Sequence, residues 1–136
     1  MKHLGMDLGT KTLGLATSDK LGIIASPYKL IRYHDLDLLI DELLTIINEE
    51  KIEVLVLGYP KNMDNTLGFA VKRTLEFKEL LQKKCHLPLH LIDERLSTVE
   101  AEQMLIDANV SRKKRKKIID EVSASIILDT YLRKVG

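Results

Sequence analysis

Three acids stand at turning points of the chain, far apart along it. Asp7 lies in Leu4-Gly5-Met6-Asp7-Leu8-Gly9-Thr10, Glu94 follows the apolar run Leu89-His90-Leu91-Ile92, and Asp120 heads Asp120-Glu121-Val122-Ser123-Ala124-Ser125-Ile126-Ile127-Leu128. Carboxylates are hard oxygen ligands. A few of them together hold Mg²⁺ or Mn²⁺ while water and a substrate phosphate complete the octahedron. A pair of such ions activates a water and stabilises the leaving oxygen, which is how a phosphodiester, shielded by its own charge, is hydrolysed. If the fold makes the three acids converge, they form a catalytic metal cage. Two of them have a plainer reading. Asp7 could cap the turn before Gly9, and Asp120 could be a helix-start acid favoured by the helix dipole. Asp93 competes with Glu94, because successive strand residues face opposite sides.

Other residues could hold the substrate. Thr10, Lys11 and Thr12 could donate to a phosphate, with Gly9 and Gly14 letting a ligand's backbone come close, or they could form an ordinary Gly-rich turn. Residues Arg112, Lys113, Lys114, Arg115, Lys116 and Lys117 are six consecutive cations just before Asp120. Such runs are commonly solvated. Beside a phosphodiester site this one would track phosphates, adding affinity without sequence choice that falls steeply with salt. The net charge is only +1, so a nucleic-acid footprint has to come from local clustering. Four Tyr, two Phe and no Trp argue against base stacking as the main recognition mode. His3, His34, His86 and His90 lack ligand spacing and read as surface or sheet residues. The single Cys85 cannot form an internal disulfide; it fits a reducing compartment and gives no zinc site.

The elements that must position these residues follow from size and periodicity. The chain has 136 residues, 45% hydrophobic and 30% charged, which suits one soluble domain over 1–136 that removes roughly two-thirds of its surface from water on folding. No apolar run approaches the roughly 18 residues that span a bilayer, and the first residues are strand-like, so a cytoplasmic protein without membrane contact is expected. Residues 3–8, 12–17 and about 23–31 read as an antiparallel three-stranded meander, with Pro27 confining the third strand to a sheet edge. Leu36, Leu39, Ile40, Leu43, Leu44 and Ile47 recur at helical spacing over 35–50. Val54-Leu55-Val56-Leu57 suits a central strand covered on both faces. A helix over about 66–84, with Leu67, Val71, Leu75 and Leu81 as its inner stripe, leads to a fifth strand at 89–92. Ser97-Thr98-Val99-Glu100 is a capping box for a short helix. A basic loop and a last helix from about 117 to 134 close the chain. Strands separated by helices run parallel through right-handed crossovers. The expected fold is α/β: a mixed five-stranded sheet, three antiparallel strands plus two parallel ones, flanked by helices.

That order resembles the ribonuclease H-like fold, and four stretches narrow it. Met6-Asp7-Leu8-Gly9-Thr10-Lys11-Thr12-Leu13-Gly14-Leu15-Ala16 is similar to the opening strand pair of the YqgF family, also called RuvX, of Holliday junction resolvase-like proteins and pre-16S rRNA nucleases. Gly58-Tyr59-Pro60-Lys61-Asn62-Met63-Asp64-Asn65 resembles its Gly-Leu-Pro-x-Asn-Met-Asp-Gly loop, departing at Tyr59 and Asn65. Asp93-Glu94-Arg95-Leu96-Ser97-Thr98 matches its Asp-Glu-Arg-x-Ser-Thr motif, and Asp120-x-x-Ser-Ala resembles its closing helix. The resemblance covers almost the whole chain. It favours Glu94 over Asp93 and implies Asp7, Glu94 and Asp120 as catalytic metal ligands. Asn62 would contact the substrate strand or organise the turn after Pro60. Arg95 would clamp a phosphate bidentately or pair with an acid. Arg112, Lys113 and Lys114 join Thr10 and Lys11 as substrate contacts. The implied activity is metal-dependent hydrolysis by direct attack of water, at the 5′ end of pre-16S rRNA. The alternative is Holliday junction resolution on branched DNA, which would call for a homodimer to cut two strands. Two rivals are a non-catalytic nucleic-acid-binding module, and an actin-like ATPase or sugar kinase, since Asp7-x-Gly9-Thr10 also opens those folds. The latter need two such domains around a nucleotide.

Overall fold

The computed structural model describes residues 1–59, 68–93 and 103–135; within the last segment, the side chains at 116 and 119–121 lie outside the description. The elements are β1 (His3–Leu8), β2 (Thr12–Ser18), β3 (Ala25–Arg32), α1 (Leu36–Glu49), β4 (Val54–Tyr59), α2 (Phe69–Lys84), β5 (Leu89–Asp93), a helical stretch at 103–107 (α3) and α4 (Arg112–Val135). The sheet order is β3-β2-β1-β4-β5. β1–β2 and β2–β3 pair antiparallel, and β1–β4 and β4–β5 pair parallel. The expected meander and parallel pair are both present. The first strand sits at the centre, with β2 paired on one side through the hairpin and β4 on the other after α1.

Side-chain alternation divides the sheet into two faces. Leu4, Met6 and Leu8 of β1 point into one core with Leu39, Ile40 and Leu43 of α1 and Phe77 and Leu81 of α2. The opposite face carries Ala16, Val56 and Ile92 under Ala124, Ile127, Leu128 and Leu132 of α4. β4 is buried from Val54 to Gly58, as a continuous apolar run between two helical layers should be. The helix α1 begins where the Asp35 carboxylate accepts from the Asp37 N–H at 2.7 Å, a side-chain cap on an otherwise orphan donor. β3 is the edge strand, and its register with β2 shifts between Leu15 and Ala16, opposite Lys29 and Pro27. Proline there removes no ladder bond that a further strand would need.

Two expectations change. The inner stripe of α2 is Val71, Thr74, Phe77 and Leu81, whereas Leu75 is exposed; Leu67 lies outside the described residues. Starting from Val71, the steps to Thr74, Phe77 and Leu81 follow the 3.6-residue period, and a stripe through Leu75 would have carried the larger Phe77 to the surface. The second change concerns the basic segment, expected as a loop. It forms the first turns of α4, which begins at Arg112. The Ser111 hydroxyl accepts from the Lys114 N–H at 3.3 Å, and the Ser111 carbonyl accepts from the Arg115 N–H at 2.8 Å. Lysine and arginine are good helix formers, so a run of them behind a serine cap extends the helix rather than breaking it.

Candidate active site

Asp7 is the penultimate residue of β1, on the face covered by α4. It pairs across the hairpin with Gly14, which pairs in turn with Leu30. Its carboxylate is half-buried, and the Ser123 hydroxyl donates to Asp7 Oδ2 at 2.5 Å. That contact joins residues 116 positions apart and needs α4 to lie very close to the sheet. Gly5 permits the approach: a Cβ there would sit 2.7 Å from Leu128 Cβ and 3.0 Å from the Ala124 carbonyl oxygen. Gly14, expected to admit a ligand, lies next to Asp7 under Ala124 of α4. A Cβ there would meet Ala124 Cβ at 3.7 Å and Asp7 Cβ at 3.8 Å, ordinary contact. A cavity of about 180 Å³ opens beside it, walled by Pro27, Tyr28, Leu30 and Ala124.

The direction of α4 follows from its partners. Ser123 meets Asp7, Leu128 meets Gly5, and Tyr131 lies 5.8 Å from the His3 ring and stacks on His90 at 5.3 Å. Positions rise along α4 as they fall along β1, so the helix runs antiparallel to that strand. Its N-terminal half therefore projects past the strand end that carries Asp7. Lys117 and Lys113 stand seven and eleven residues before Ala124, on the same helical stripe, yet both are exposed. A stripe that is buried at Ala124 and exposed at Lys117 has left the sheet behind. The basic run thus overhangs the Asp7 edge, with Arg112, Lys113, Lys114 and Lys117 all exposed. Arg115 is the exception. Its Nη1 donates to the Val110 carbonyl at 2.9 Å, which ties it to the α3–α4 connection.

Position 120 lies eight residues into α4, one turn before Ser123. Capping by the helix dipole, which acts within the first turn, no longer explains an acid there; the Asp120 side chain lies outside the description. Glu94, Asn62, Arg95 and the capping box from Ser97 also lie outside the described residues. Asp93 ends β5 opposite Tyr59. His90 and Ile92 are on the α4 face, so alternation turns Asp93 to the other face, away from Asp7.

The β1–β2 turn stands at the same edge. The Gly9 N–H donates to the Thr12 carbonyl at 2.7 Å, and Thr10 and Lys11 are exposed at the tip. Tyr33 braces the turn from the end of β3: its hydroxyl donates to the Gly9 carbonyl at 2.5 Å and its N–H to the Lys11 carbonyl at 2.9 Å. Burial raises the Tyr33 pKa above the ordinary phenol value, and the positive charge of Arg73 opposes the rise. Tyr33, Gly5 and the hydroxyl role of Ser123 escaped the sequence reading. Ser123 carried a signal, its place one turn after Asp120 on the same face; Tyr33 carried none.

Among the described residues no three His, Cys, Asp or Glu side chains are grouped to hold a metal, two of the three expected ligands being outside the description. What is described of the site fits a hard cation. Asp7 offers a half-buried carboxylate that takes one hydroxyl donor and has no basic partner among the described residues.

Comparison with known proteins places this geometry. The RuvX family model, described as Holliday junction resolvase, matches residues 1–134. A Clostridium kluyveri protein named "Putative pre-16S rRNA nuclease" is 43% identical over 136 residues, 100% of this chain and 99% of its own. A Geobacillus kaustophilus protein of the same name is 47% identical over 134 residues, covering 97% of each. Among solved structures, T. thermophilus RuvC in complex with Holliday junction substrate aligns with a TM-score of 0.61 at 13% identity, over 100% of this chain and 96% of that one. The yeast mitochondrial Holliday junction resolvase Ydc2 aligns with a TM-score of 0.55 at 12% identity, over 96% and 77%. At such identities the likeness to solved structures is one of fold.

Proposed function

The chain belongs to the RuvX family, and from that premise we propose that it is a metal-dependent nuclease that hydrolyses phosphodiester bonds and trims the 5′ end of pre-16S rRNA. The observation that carries the reading is the Ser123–Asp7 hydrogen bond. It draws together the first strand and the last helix, two of the elements that bear the proposed acids, at the edge where a basic helix overhangs. Full-length relatives bearing the pre-16S rRNA nuclease name support the choice of substrate.

Asp7, Glu94 and Asp120 would hold Mg²⁺ or Mn²⁺; Asp93, on the other face, leaves Glu94 as the acid the reading requires. Bound ions supply an activated water and neutralise charge at the leaving oxygen. The chain's own residues do the rest. Ser123 fixes the orientation of the Asp7 carboxylate, as outer-shell donors do for ligands. Thr10 and Lys11 at the braced turn, with Asn62 and Arg95, hold the strand near the reacting phosphate. Arg112, Lys113 and Lys114 draw in the flanking backbone by charge alone. No nucleophilic side chain is needed, so water attacks directly. The cytoplasm is the expected compartment; no helix among the described residues is long and apolar enough to cross a membrane.

A second reading, resolution of branched DNA by a homodimer, is favoured by the family description and by the fold shared with a junction-bound resolvase. One experiment addresses both. Wild type and Asp7→Asn are incubated with a pre-rRNA fragment and with a four-way DNA junction, each with Mn²⁺ and with chelator. Cleavage of the RNA by wild type with Mn²⁺ alone, absent in Asp7→Asn, is expected. Cleavage confined to the junction would move the assignment to the second reading, and undiminished cleavage by Asp7→Asn would remove both.

A further inference from the structure

Arg73 and Phe69 have no part in the reading above. They lie on the first turns of α2, on the side of the sheet opposite α4. β4 ends at Tyr59 on the Asp7 edge, and α2 returns from there to the start of β5, so the N-terminal end of α2 belongs to that same edge. Arg73 Nε is buried and has no hydrogen-bond partner among the described residues. Arg73 itself forms no ion pair among them, and its charge reaches Tyr33, which holds the β1–β2 turn. A buried guanidinium N–H left unpaired is costly. Among the described residues Arg73 Nε and Arg115 Nε are left so; Arg115 is already tied to the Val110 carbonyl through Nη1, whereas Arg73 has room for an anion or water as its partner. Phe69 stands four residues earlier, on the same helical face, and is 84% exposed. A large aromatic side chain so uncovered loses the benefit of burial and offers a flat face to a ligand. The lining chemistry therefore pairs a planar cation with an open ring, beside the turn that bears Thr10 and Lys11.

We propose that Arg73 and Phe69 form a single-strand contact in which Arg73 takes a backbone phosphate and Phe69 stacks one unpaired base. The proposal rests on the nucleic-acid reading of the Asp7 edge and narrows its substrate. The strand crosses the sheet edge from the overhanging α4 to the α2 end, with at least one base splayed from any duplex. Guanidinium recognition of phosphate is planar and bidentate, so lysine does not replace it in full. Stacking on one aromatic ring tolerates any base and fails for a base held in a helix.

The test is binding of a fluorescent single-stranded oligonucleotide and of a blunt duplex of the same length, in EDTA, across a salt series. The proteins are wild type, Arg73→Gln, Arg73→Lys, Phe69→Ala and Asp7→Asn, each checked for fold by circular dichroism. Arg73→Gln is expected to flatten the log–log salt slope by about one charge's worth, with Arg73→Lys restoring the slope and only part of the affinity. Phe69→Ala is expected to weaken single-strand binding about tenfold, with duplex binding and the salt slope unchanged. Wild-type binding that neither Arg73→Gln nor Phe69→Ala alters overturns this contact while leaving the nuclease reading intact. A wild type that binds neither oligonucleotide overturns both. Equal losses on single strand and duplex in Phe69→Ala overturn the stacked base.

Discussion

Replacing Gly5 with alanine should loosen α4 from the sheet and disturb the site without touching any acid. The added Cβ would stand 2.7 Å from Leu128 Cβ and 3.0 Å from the Ala124 carbonyl oxygen. Carbon atoms settle at about 3.5–4.0 Å, so the helix must withdraw by roughly 1 Å at this point. Both obstacles belong to the helix backbone or its first side-chain atom, and no flexible chain end can swing aside. Overpacking of this kind costs about 1–3 kcal/mol. At this chain length each kcal/mol lowers Tm by about 4 °C, so a fall of about 4–12 °C is expected in a thermal melt. Ser123 sits on the displaced helix, and misplacement by about 1 Å can cost on the order of a hundredfold in rate. Mn²⁺-dependent cleavage, assayed well below Tm, should drop about 10–100-fold. Gly14→Ala is the control. Its Cβ would meet neighbours at 3.7 and 3.8 Å, and loss of glycine's unfolded-state freedom adds about 0.4–1 kcal/mol of stability. The reasoning fails if Gly5→Ala melts no lower than wild type, or if Gly14→Ala is the more damaging of the two. Full cleavage by a destabilised Gly5→Ala would show that helix position and catalysis are separable.

Three further outcomes are expected. Ser123→Ala removes the donor to Asp7 Oδ2 and should raise the Mn²⁺ concentration for half-maximal cleavage about 10–100-fold, while costing only about 1 kcal/mol in urea unfolding; an unchanged metal requirement would take Ser123 out of the site. Neutralising Lys113, Lys114 and Lys117, all exposed on the overhang, should reduce the log–log salt slope for single-stranded substrate by about 2, and an unaltered slope would mean the run touches no phosphate. The pKa of His3 is lowered, chiefly by burial and then by the N-terminal ammonium and His90. The unfolded chain therefore binds the proton first as pH falls. Stability from this group is complete above about pH 6.5, the ordinary histidine value, and is lost as pH falls toward the depressed folded value. Urea unfolding between pH 4.5 and 7.5 should show that slope in wild type and a shallower one in His3→Gln; identical slopes would assign the pH dependence to other groups.

How much of this was legible in the residues depends on which physical signal each feature left. The helix α1 and the buried strand β4 showed themselves by period and by run length, signals that a single element carries alone. The edge position of β3 followed from Pro27. The start of α4 was hidden because a cationic run reads as solvated chain, although its residues favour helix and Ser111 caps it. Phe77 was missed in α2 because two stripes, one through Leu75 and one through Phe77, both satisfy the helical period over part of the segment. The small residues Ser123 and Ala124 signalled a close approach of the last helix, but its partner Gly5 and the brace from Tyr33 left no trace, since each depends on a second element. Of the site, Asp7 and the exposed cations of α4 lie toward one edge, while Glu94 and the Asp120 side chain lie outside the described residues. The place of Gly14 under Ala124 required the helix to be seen above it.

That edge depends on a single helix to an unusual degree. The helices α1 and α2 share one face of the sheet, while α4 lies across β1, β2, β3 and β4 on the other. One rigid rod therefore carries Ser123, position 120 and the basic run. Ten residues separate Lys113 from Ser123, about 15 Å along the axis, or four to five nucleotides at about 3.4 Å per step of a stacked strand. A backbone gripped at the overhang delivers its reacting phosphate within that reach. The overhang is also electrostatically uneasy. Its first turn has no acid, its cations oppose the helix dipole, and like charges repeat at i,i+4 from Lys113 to Lys117, a pair costing about 0.2–0.5 kcal/mol. A polyanion laid along the run reverses every one of these terms. If the run holds the substrate backbone as proposed, substrate binding and consolidation of the start of α4 are coupled.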